Sequence, residues 1–367
     1  MTVTQTDDPA VPEAQLEAFA ESVLGAALGC AEVTVMHLGR ALGLYAALRG
    51  EDGLTAAQLA TRAGVDERYA LEWLEHQAVA GVLTVDDPSR TPTERAYALP
   101  EAHAVALLDE EHPAYVGALA DIPPIIGRTL EQVTGAFRTG TGVPFADYGL
   151  HDMQAGFTRP MFANSLVAEW LPLLPDVQAR LEAGEPLRIV DIGCGEGWAA
   201  VYLAEAYPDV VVDGFDLDDA SIAAARRHAA ERGVTERVHF EVRDVTDPRL
   251  DGRYDLAYAC EVIHDLPDPV GALGAMRRMT ADGGAVLIID ENASETFEPS
   301  GDPIQRLLYA FSILHCLPAG RDADQSAATG TVMRPDTLRR YATDAGFASV
   351  DVLPLEHPMF RFYRPQV

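Results

Sequence analysis

The segment Val190–Gly197, VDIGCGEG, decides the fold of this 367-residue chain. It follows an apolar run that begins at Leu187 and predicts a buried strand, and it leads into a stretch with helical periodicity. Glycines at positions 193, 195 and 197 let the backbone turn tightly and approach a ligand without a Cβ in the way. A strand, a glycine-rich turn and a helix in this order indicate a nucleotide-binding α/β fold, although such a turn alone is a weak signal.

Three acidic residues follow or end three successive predicted strands. Asp191 precedes the first glycine by two residues, Asp216 lies 23 residues beyond Gly193, and Asp244 follows the next strand. An acid at the position of Asp216 is placed to bind both ribose hydroxyls of a nucleoside, and Asp244 is placed to meet the exocyclic amine of an adenine. The glycine turn has no arginine or lysine to meet a phosphate. Binding of a cationic nucleoside such as S-adenosylmethionine explains this pattern better than the alternative in which all three acids only cap helices.

The chain divides into four predicted regions. Residues 1–14 are polar and acidic and predict a disordered leader, and residues 15–105 predict a helical, winged-helix domain. Residues 106–185 predict a helical connector that also covers the active site. From 186 to 367, β-rich runs alternate with helical stretches, which predicts a parallel sheet with helices on both faces.

The winged-helix domain is predicted from its capping residues. Thr55 and Gln58 can form a capping box, Gly64 can end that helix, and Asp66 can cap a second helix. The first 105 residues hold 16 acids against 6 arginines, so this domain cannot neutralise phosphates. We therefore expect it to pair two subunits and not to bind nucleic acid. A winged-helix transcriptional regulator that senses a metabolite is the alternative from another class.

The composition restricts the partners and the compartment. The formal net charge is -30, and all the Lys/Arg residues are arginines. Such a charge disfavours binding to nucleic acid and to anionic membranes. Apolar runs such as 285–289 are far shorter than the roughly 20 residues of a membrane span. The four cysteines are widely separated, which predicts reduced thiols. We expect a cytoplasmic protein without a membrane segment.

The segment Tyr254–Asp265, YDLAYACEVIHD, adds the most specific signal. Together with Val190–Gly197, the pair Asp216-Leu217, and Asp244, it makes the chain resemble the class I S-adenosylmethionine-dependent methyltransferases. The resemblance is to small-molecule methyltransferases with an N-terminal winged-helix dimerisation domain, and it covers nearly the whole chain after the leader.

The resemblance implies a Rossmann-like α/β domain with a seven-stranded sheet, whose last two strands form a hairpin at 348–354 and 359–363. It also implies a homodimer that methylates a small molecule on oxygen or on an enolate carbon. Relatives that bind this cofactor for hydroxylation, decarboxylation or cyclisation leave the reaction open. The implied cofactor-binding residues are Asp191, Gly193, Gly195, Gly197, Asp216, Leu217, Asp244, Val245 and Glu261.

His264 and Asp265 are the predicted catalytic residues. The resemblance to winged-helix O-methyltransferases implies that His264 is the general base, because the histidine of such a pair has that role in them. Leu266 follows where a tryptophan is usual, which makes a phenol acceptor less secure. In the family's α-keto acid C-methyltransferases a similar set, here His264, Asp265 and His315, holds a metal ion such as iron. The sequence leaves the base and the metal ligand open as roles for His264.

The connector and a predicted helical insertion after the fifth strand, Ile304–Leu317, are the segments that the resemblance places over the acceptor. Similar proteins fold these segments over the cofactor and the acceptor, although aromatic and methionine side chains at helical spacing are also typical of a core. The predicted pocket residues are Tyr148, Phe157, Met161, Asn164 and His315.

Overall fold

The computed structural model describes residues 12–247, 250 and 252–367. The chain forms two compact units: one runs up to Asp109 and includes Leu119–Pro124, and the other comprises Glu110–Ala118 and Ile125–Val367. Residues 1–11 of the predicted leader lie outside the described residues, and the first helix already begins at Glu13.

The α-helices of the two units are numbered in chain order. They are α1 (Glu13–Ala41), α2 (Leu44–Leu48), α3 (Ala56–Ala63), α4 (Glu67–Val79), α5 (Glu101–Leu108), α6 (Ile122–Thr139), α7 (Phe145–Tyr148), α8 (His151–Met161), α9 (Pro175–Glu182), α10 (Trp198–Ala206), α11 (Asp219–Glu231), α12 (Pro269–Met279), α13 (Pro303–Phe311), α14 (Leu317–Gly320) and α15 (Pro335–Asp344). Short 3₁₀ turns span Gly117–Asp121 and Leu171–Leu173, and π-helical segments span Phe162–Trp170 and Ser312–Cys316.

The strands form one hairpin and one large sheet. They are β1 (Thr84–Val85), β2 (Tyr97–Ala98), β3 (Arg188–Ile192), β4 (Val211–Asp216), β5 (Val238–Val242), β6 (Tyr254–Cys260), β7 (Thr280–Glu291), β8 (Ser349–Val352) and β9 (Phe360–Gln366).

The first unit contains the predicted winged helix. Thr55 and Gln58 form the capping box of α3, Gly64 ends that helix with a left-handed backbone, and Asp66 caps α4. The wing is the antiparallel pair β1–β2, which is only two residues long on each side. Leucine and aromatic side chains from α2, α3, α4 and α5 form its core.

Helix α1 is 29 residues long and carries exposed apolar side chains. Phe19 and Leu24 are each 70% exposed, and Leu16 is 58% exposed. In the described part of the chain, α1 is the one helix long and apolar enough to cross a membrane. The sequence pattern did not predict such a helix, because alanines and glycines keep α1 apolar on average without one long apolar run. One such helix is weak evidence for a membrane, since a signal sequence or a core helix has the same composition.

The second unit confirms the predicted seven-stranded sheet. Its order is β5-β4-β3-β6-β7-β9-β8, with parallel pairing from β5 to β7 and antiparallel pairing of β9 with β7 and β8. The predicted C-terminal hairpin is therefore present, with Val352 opposite Tyr363. The strand order reverses between β3 and β6, which creates a crevice at their carboxyl ends.

Both faces of the central strands β3, β6 and β7 are buried, as is typical of a parallel sheet. Alternate residues of one strand reach different cores: Ile189 packs against helices α10 and α11, whereas Val190 packs against α12 and α15. The sheet is therefore fixed from both sides, and its carboxyl edge remains available to a ligand.

Candidate active site

A cavity of about 510 Å³ lies at the carboxyl ends of β3, β4 and β6, in the crevice where the strand order reverses. The glycine turn and the residues after β4 and β6 form its floor. The segment from Pro144 to Phe162 contributes the opposite wall, which we call the roof. A volume of this size holds a nucleoside-sized ligand and part of a second small molecule.

The three glycines of the turn differ in what a side chain at each position would contact. Gly193 has a φ of 65°, and a Cβ there would lie 2.5 Å from Cγ2 of Val262. Gly197 has a φ of 77°, and its Cβ would lie 2.4 Å from Cζ of Phe240. At Gly195, with a φ of 50°, a Cβ would meet nothing within 4 Å. Packing therefore requires the outer two glycines, whereas the middle one leaves space in which a ligand can approach the backbone.

Asp216 ties the end of β4 to the glycine turn. Its Oδ2 accepts a hydrogen bond from the Gly195 N–H at 2.9 Å, and its Oδ1 accepts one from the Asp218 N–H at 2.9 Å. Burial raises its pKa, and these backbone donors oppose the rise. The side chain lines the cavity, as the sequence predicts for a ribose-binding acid.

Asp191 lies beneath the turn and is 2% exposed. Its Oδ2 has no hydrogen-bond partner among the described residues, although the side chain lines the cavity. Burial and the charge of Asp216 raise the pKa of Asp191 to about 8. A buried carboxyl without a partner costs free energy unless a ligand supplies a donor or a cation. The amino group of S-adenosylmethionine supplies both, so the residues present fit this cofactor.

The other predicted cofactor residues divide into two groups. Leu217, Val245 and Glu261 line the cavity. Asp244 is exposed and does not line it, because its Oδ1 accepts hydrogen bonds from the N–H and hydroxyl of Thr246 in a local turn. These hydrogen bonds use one oxygen of the carboxylate, and both chain neighbours of Asp244 line the cavity, so its contact with an adenine stays a prediction.

His264 is 2% exposed and does not line the cavity. Its Nδ1 lies 2.8 Å from Oδ1 of Asp290 and 2.8 Å from Oε2 of Glu291, and its Nε2 lies 3.0 Å from Oδ1 of Asp265. Burial disfavours the charged ring, yet the charges of Asp265, Glu291 and Asp290 raise the pKa of His264 well above its usual value. Asp265 lines the cavity, whereas His264 lies behind it against Asp290 and Glu291.

The predicted metal set is not assembled. Over residues 12–247, 250 and 252–367, the His/Cys/Asp/Glu groups with ligand atoms within 4.8 Å of one another are His264-Asp265-Cys316 and His264-Asp290-Glu291. Neither includes His315, whose Nδ1 lies 3.4 Å from Sγ of Cys316. His315 lies in its π-helical segment against the ring of Tyr148, 4.6 Å away between centroids. The metal arrangement implied by the resemblance does not fit this structure.

The roof differs from the predicted pocket. Tyr148 and His315 are buried beside each other but do not line the cavity. Phe157 and Met161 pack against the sheet core, and Nδ2 of Asn164 donates to the carbonyls of Glu111 and Pro160. None of these five predicted residues lines the cavity.

One face of α8 forms the roof instead, through His151, Gln154, Ala155 and Thr158. Nε2 of His151 lies 3.0 Å from Oδ2 of Asp218, so the roof contacts the floor there. These four residues are separated by three, one and three positions, which is typical of one face of a helix. This spacing could have identified the face from the sequence. Pro160, which lies inside α8, hides that signal because proline usually ends a helix.

Comparisons with known proteins agree with this geometry. Residues 184–309 match the family model of a methyltransferase domain, and residues 31–108 match that of an Rv2258c-like winged HTH domain. A ubiquinone biosynthesis O-methyltransferase from Pseudomonas aeruginosa is 26% identical over 214 residues, which are 58% of this chain and 84% of that protein. An uncharacterized protein from Synechococcus is 33% identical over 108 residues, which are 29% of this chain and only 26% of its own length.

Solved structures share the fold over nearly the whole chain. The mitomycin 7-O-methyltransferase MmcR has a TM-score of 0.67 at 21% identity and covers 97% of this chain and 100% of its own. Human N-acetylserotonin methyltransferase, solved with S-adenosylmethionine, has a TM-score of 0.66 at 16% identity and covers 98% and 99%. The chain thus contains a methyltransferase domain that follows a winged helix-turn-helix domain, and it shares its fold with solved methyltransferases over nearly its whole length.

Proposed function

We propose that this enzyme transfers a methyl group from S-adenosylmethionine to an oxygen atom of a small molecule. The observation that carries the proposal is the cavity, which is lined by the glycine turn, by Asp191 with its unpartnered Oδ2, and by Asp265. The names of MmcR and of the Pseudomonas relative support oxygen as the acceptor atom. Methylation of a metal-bound enolate has less support, because the set with His315 is not assembled.

The residues of the chain act mainly by placing two reactants in line. When bound, the cofactor supplies an electrophilic methyl group on its sulfonium. Asp216 and the open backbone at Gly195 hold the nucleoside part, and Asp191 holds the amino group. His151 and Thr158 of the α8 roof line the same cavity, and we expect them to limit the access of water when both reactants are bound. Positioning of this kind supplies roughly 7–11 kcal/mol to a two-substrate reaction.

We further propose that the enzyme works as a cytoplasmic homodimer. The exposed apolar residues of α1, among them Phe19 and Leu24, support a second copy of the chain as their partner. All four cysteines are free, which is consistent with a reducing compartment.

The transfer is tested with purified protein, labelled S-adenosylmethionine and a panel of hydroxylated aromatic and aliphatic acceptors. We expect labelled methyl ethers from at least one acceptor class, and calorimetric binding of S-adenosylhomocysteine with a Kd in the micromolar range. The same titration with Asp191→Asn should be weaker by roughly tenfold, since the charged partner of the amino group is lost. A folded protein that binds neither cofactor form would refute the proposal.

A further inference from the structure

Tyr258 is a buried residue of the cavity whose hydroxyl has no hydrogen-bond partner. It lies on β6 and is 1% exposed. Four buried tyrosine hydroxyls in the described part of the chain have no such partner, those of Tyr97, Tyr148, Tyr258 and Tyr363. Of these four residues, Tyr258 is the one that lines the cavity. A buried hydroxyl without a partner costs free energy that a phenylalanine would avoid, unless a ligand completes the hydrogen bond.

Asp191 is the neighbour of Tyr258 across the sheet. The two residues are paired in the parallel register of β3 and β6. Ile189, two residues before Asp191, packs in the same core as Tyr258, so Asp191 and Tyr258 lie on the same face of the sheet. Oδ2 of Asp191 also has no partner among the described residues. The cavity wall therefore presents a carboxyl oxygen and a hydroxyl side by side, and the protein satisfies neither of them.

The hydroxyl of Tyr258 keeps its proton at physiological pH. Burial raises the pKa of Tyr258 well above its usual value, and a charged Asp191 raises it further. The Cys260 thiol lies two residues along the same strand and is only a weak hydrogen-bonding group. The phenol is therefore a neutral donor that remains available to an anionic acceptor atom.

The basic side chains of the cavity are already paired with acids. Among the described residues, the basic side chains that line the cavity are His151 and Arg243. His151 lies 3.0 Å from Asp218, and Arg243 lies 2.7 Å from Glu241. A carboxylate of a ligand therefore needs neutral donors in this cavity, and Tyr258 supplies one.

We propose that Tyr258 binds the amino-acid part of S-adenosylmethionine, where its hydroxyl donates to the carboxylate while Asp191 receives the ammonium. This inference rests on the proposed function. An α-amino acid carries a cationic donor and an anionic acceptor on one carbon atom. These two groups match the acid and the hydroxyl that β3 and β6 place side by side. The pair fixes the direction of the amino-acid part, and with it the sulfonium that carries the methyl group.

Tyr258→Phe is the first test, because it removes the hydroxyl and keeps the ring. Calorimetry compares S-adenosylhomocysteine with methylthioadenosine, which has the same nucleoside and thioether but lacks the amino-acid part. The Kd for S-adenosylhomocysteine should rise roughly tenfold, as expected for a lost hydrogen bond to a charged group, and that for methylthioadenosine should change by less than about twofold. An unchanged Kd for S-adenosylhomocysteine, or an equal rise for both ligands, would overturn the inference.

Tyr363→Phe is the matched control. Its hydroxyl is also buried and unpartnered, but Tyr363 packs in the core on the opposite face of the sheet and does not line the cavity. Both ligands should bind this variant as they bind the wild type. Without ligand, Tyr258→Phe should be at least as stable to heat as the wild type, because the unpaired hydroxyl is gone. A ligand-free Tyr258→Phe protein of lower stability would make the hydroxyl structural, which contradicts the proposal.

A decarboxylated ligand identifies which end of the amino-acid part Tyr258 binds. S-adenosylthiopropylamine keeps the amine of S-adenosylhomocysteine and lacks the carboxylate. The wild type should bind it more weakly than S-adenosylhomocysteine, and Tyr258→Phe should cause no further loss. Asp191→Asn should still weaken its binding, because the ammonium loses its charged partner. If Tyr258→Phe weakens binding of this amine as much as binding of S-adenosylhomocysteine, the assignment to the carboxylate is wrong.

Binding by the wild type separates this inference from the proposed function. If the wild type binds neither S-adenosylhomocysteine nor methylthioadenosine, the proposed function fails and the inference fails with it. If the wild type binds both and methylates an acceptor, but Tyr258→Phe binds them equally well, only the assignment of Tyr258 is wrong.

Discussion

Asp191 makes the stability of the ligand-free protein depend on pH. Its pKa in the fold is about 8, above the value near 4 in an unfolded chain, so it favours folding only while it is protonated. This contribution is complete below about pH 4 and is lost as the pH rises through about 8. Asp191→Asn stays neutral, so at pH 9 it should be more stable than wild type by up to about 5 kcal/mol, since each pKa unit corresponds to about 1.4 kcal/mol.

Thermal unfolding of both proteins at pH 5 and pH 9, without cofactor, checks this prediction. The difference between them should shrink at pH 5, where both side chains are largely neutral. A wild type that is the more stable protein at pH 9 would show that Asp191 is not buried as an unpaired carboxyl.

Asp216→Ala should weaken binding of S-adenosylhomocysteine by roughly tenfold or more while the protein stays folded. A carboxylate that accepts hydrogen bonds from a ligand contributes about 1.5 to 3 kcal/mol. Calorimetric titration measures the loss, and Asp209→Ala, an exposed acid before β4, is the matched control. Equal affinity in a folded Asp216→Ala variant would remove this residue from the cofactor site.

Single residues could be predicted from sequence where the strand pattern alone places them. Asp191 and Asp216 lie at strand ends, and both line the cavity. Asp244 also follows a strand, but a local turn with Thr246 occupies its carboxylate, and short-range hydrogen bonds of this kind compete with ligand contacts. The environment of His264 depends on Asp290, 26 residues away, and no spacing rule predicts that contact.

At the scale of the strand-turn-helix element, the glycine turn allows a paired test. Gly197→Ala places a Cβ 2.4 Å from the ring of Phe240, so we expect it to destabilise the fold by roughly 1–3 kcal/mol or more. Gly195→Ala has open space around the new Cβ and should cost only about 1–2 kcal/mol for its left-handed backbone. It should nevertheless reduce cofactor binding strongly, because the methyl group occupies the ligand's path.

Thermal unfolding and calorimetry applied to both variants separate packing from ligand access. If Gly195→Ala binds S-adenosylhomocysteine as wild type does, the cofactor does not approach the backbone there.

Elements with strong local signals could be predicted, and elements decided by distant packing could not. The capping box at Thr55 and the hairpin β8–β9 follow from short-range patterns. The cavity is lined by His151, Gln154, Ala155 and Thr158 of α8, whereas Phe157 and Met161 of the same helix pack against the sheet core. Apolar side chains at helical spacing can belong to a core or to a pocket, and the sequence does not distinguish the two.

At the scale of the whole molecule, we expect a homodimer held by apolar contacts of α1. Light scattering should return twice the 39.5 kDa of one chain at micromolar concentration and in high salt. Replacing both Phe19 and Leu24 by glutamate should yield monomers, because charges on an apolar interface are costly to bury. The same double change at Glu17 and Glu21, to glutamine, is a control that removes charge from the same helix. A monomeric wild type would contradict the prediction.

The cavity also bears on how far the catalytic domain can be treated as an independent module. The methyltransferase family model begins at residue 184, and the sheet begins with β3 at Arg188. Pro144–Phe162, which bounds the same cavity, precedes both. A recombination event or a truncation near residue 184 would transfer a complete sheet without the segment that bounds its cavity on the other side. The segment of chain needed for activity is therefore longer than the domain that the family model matches. Proteins recombined at the border of that domain should fold but lack an enclosed site.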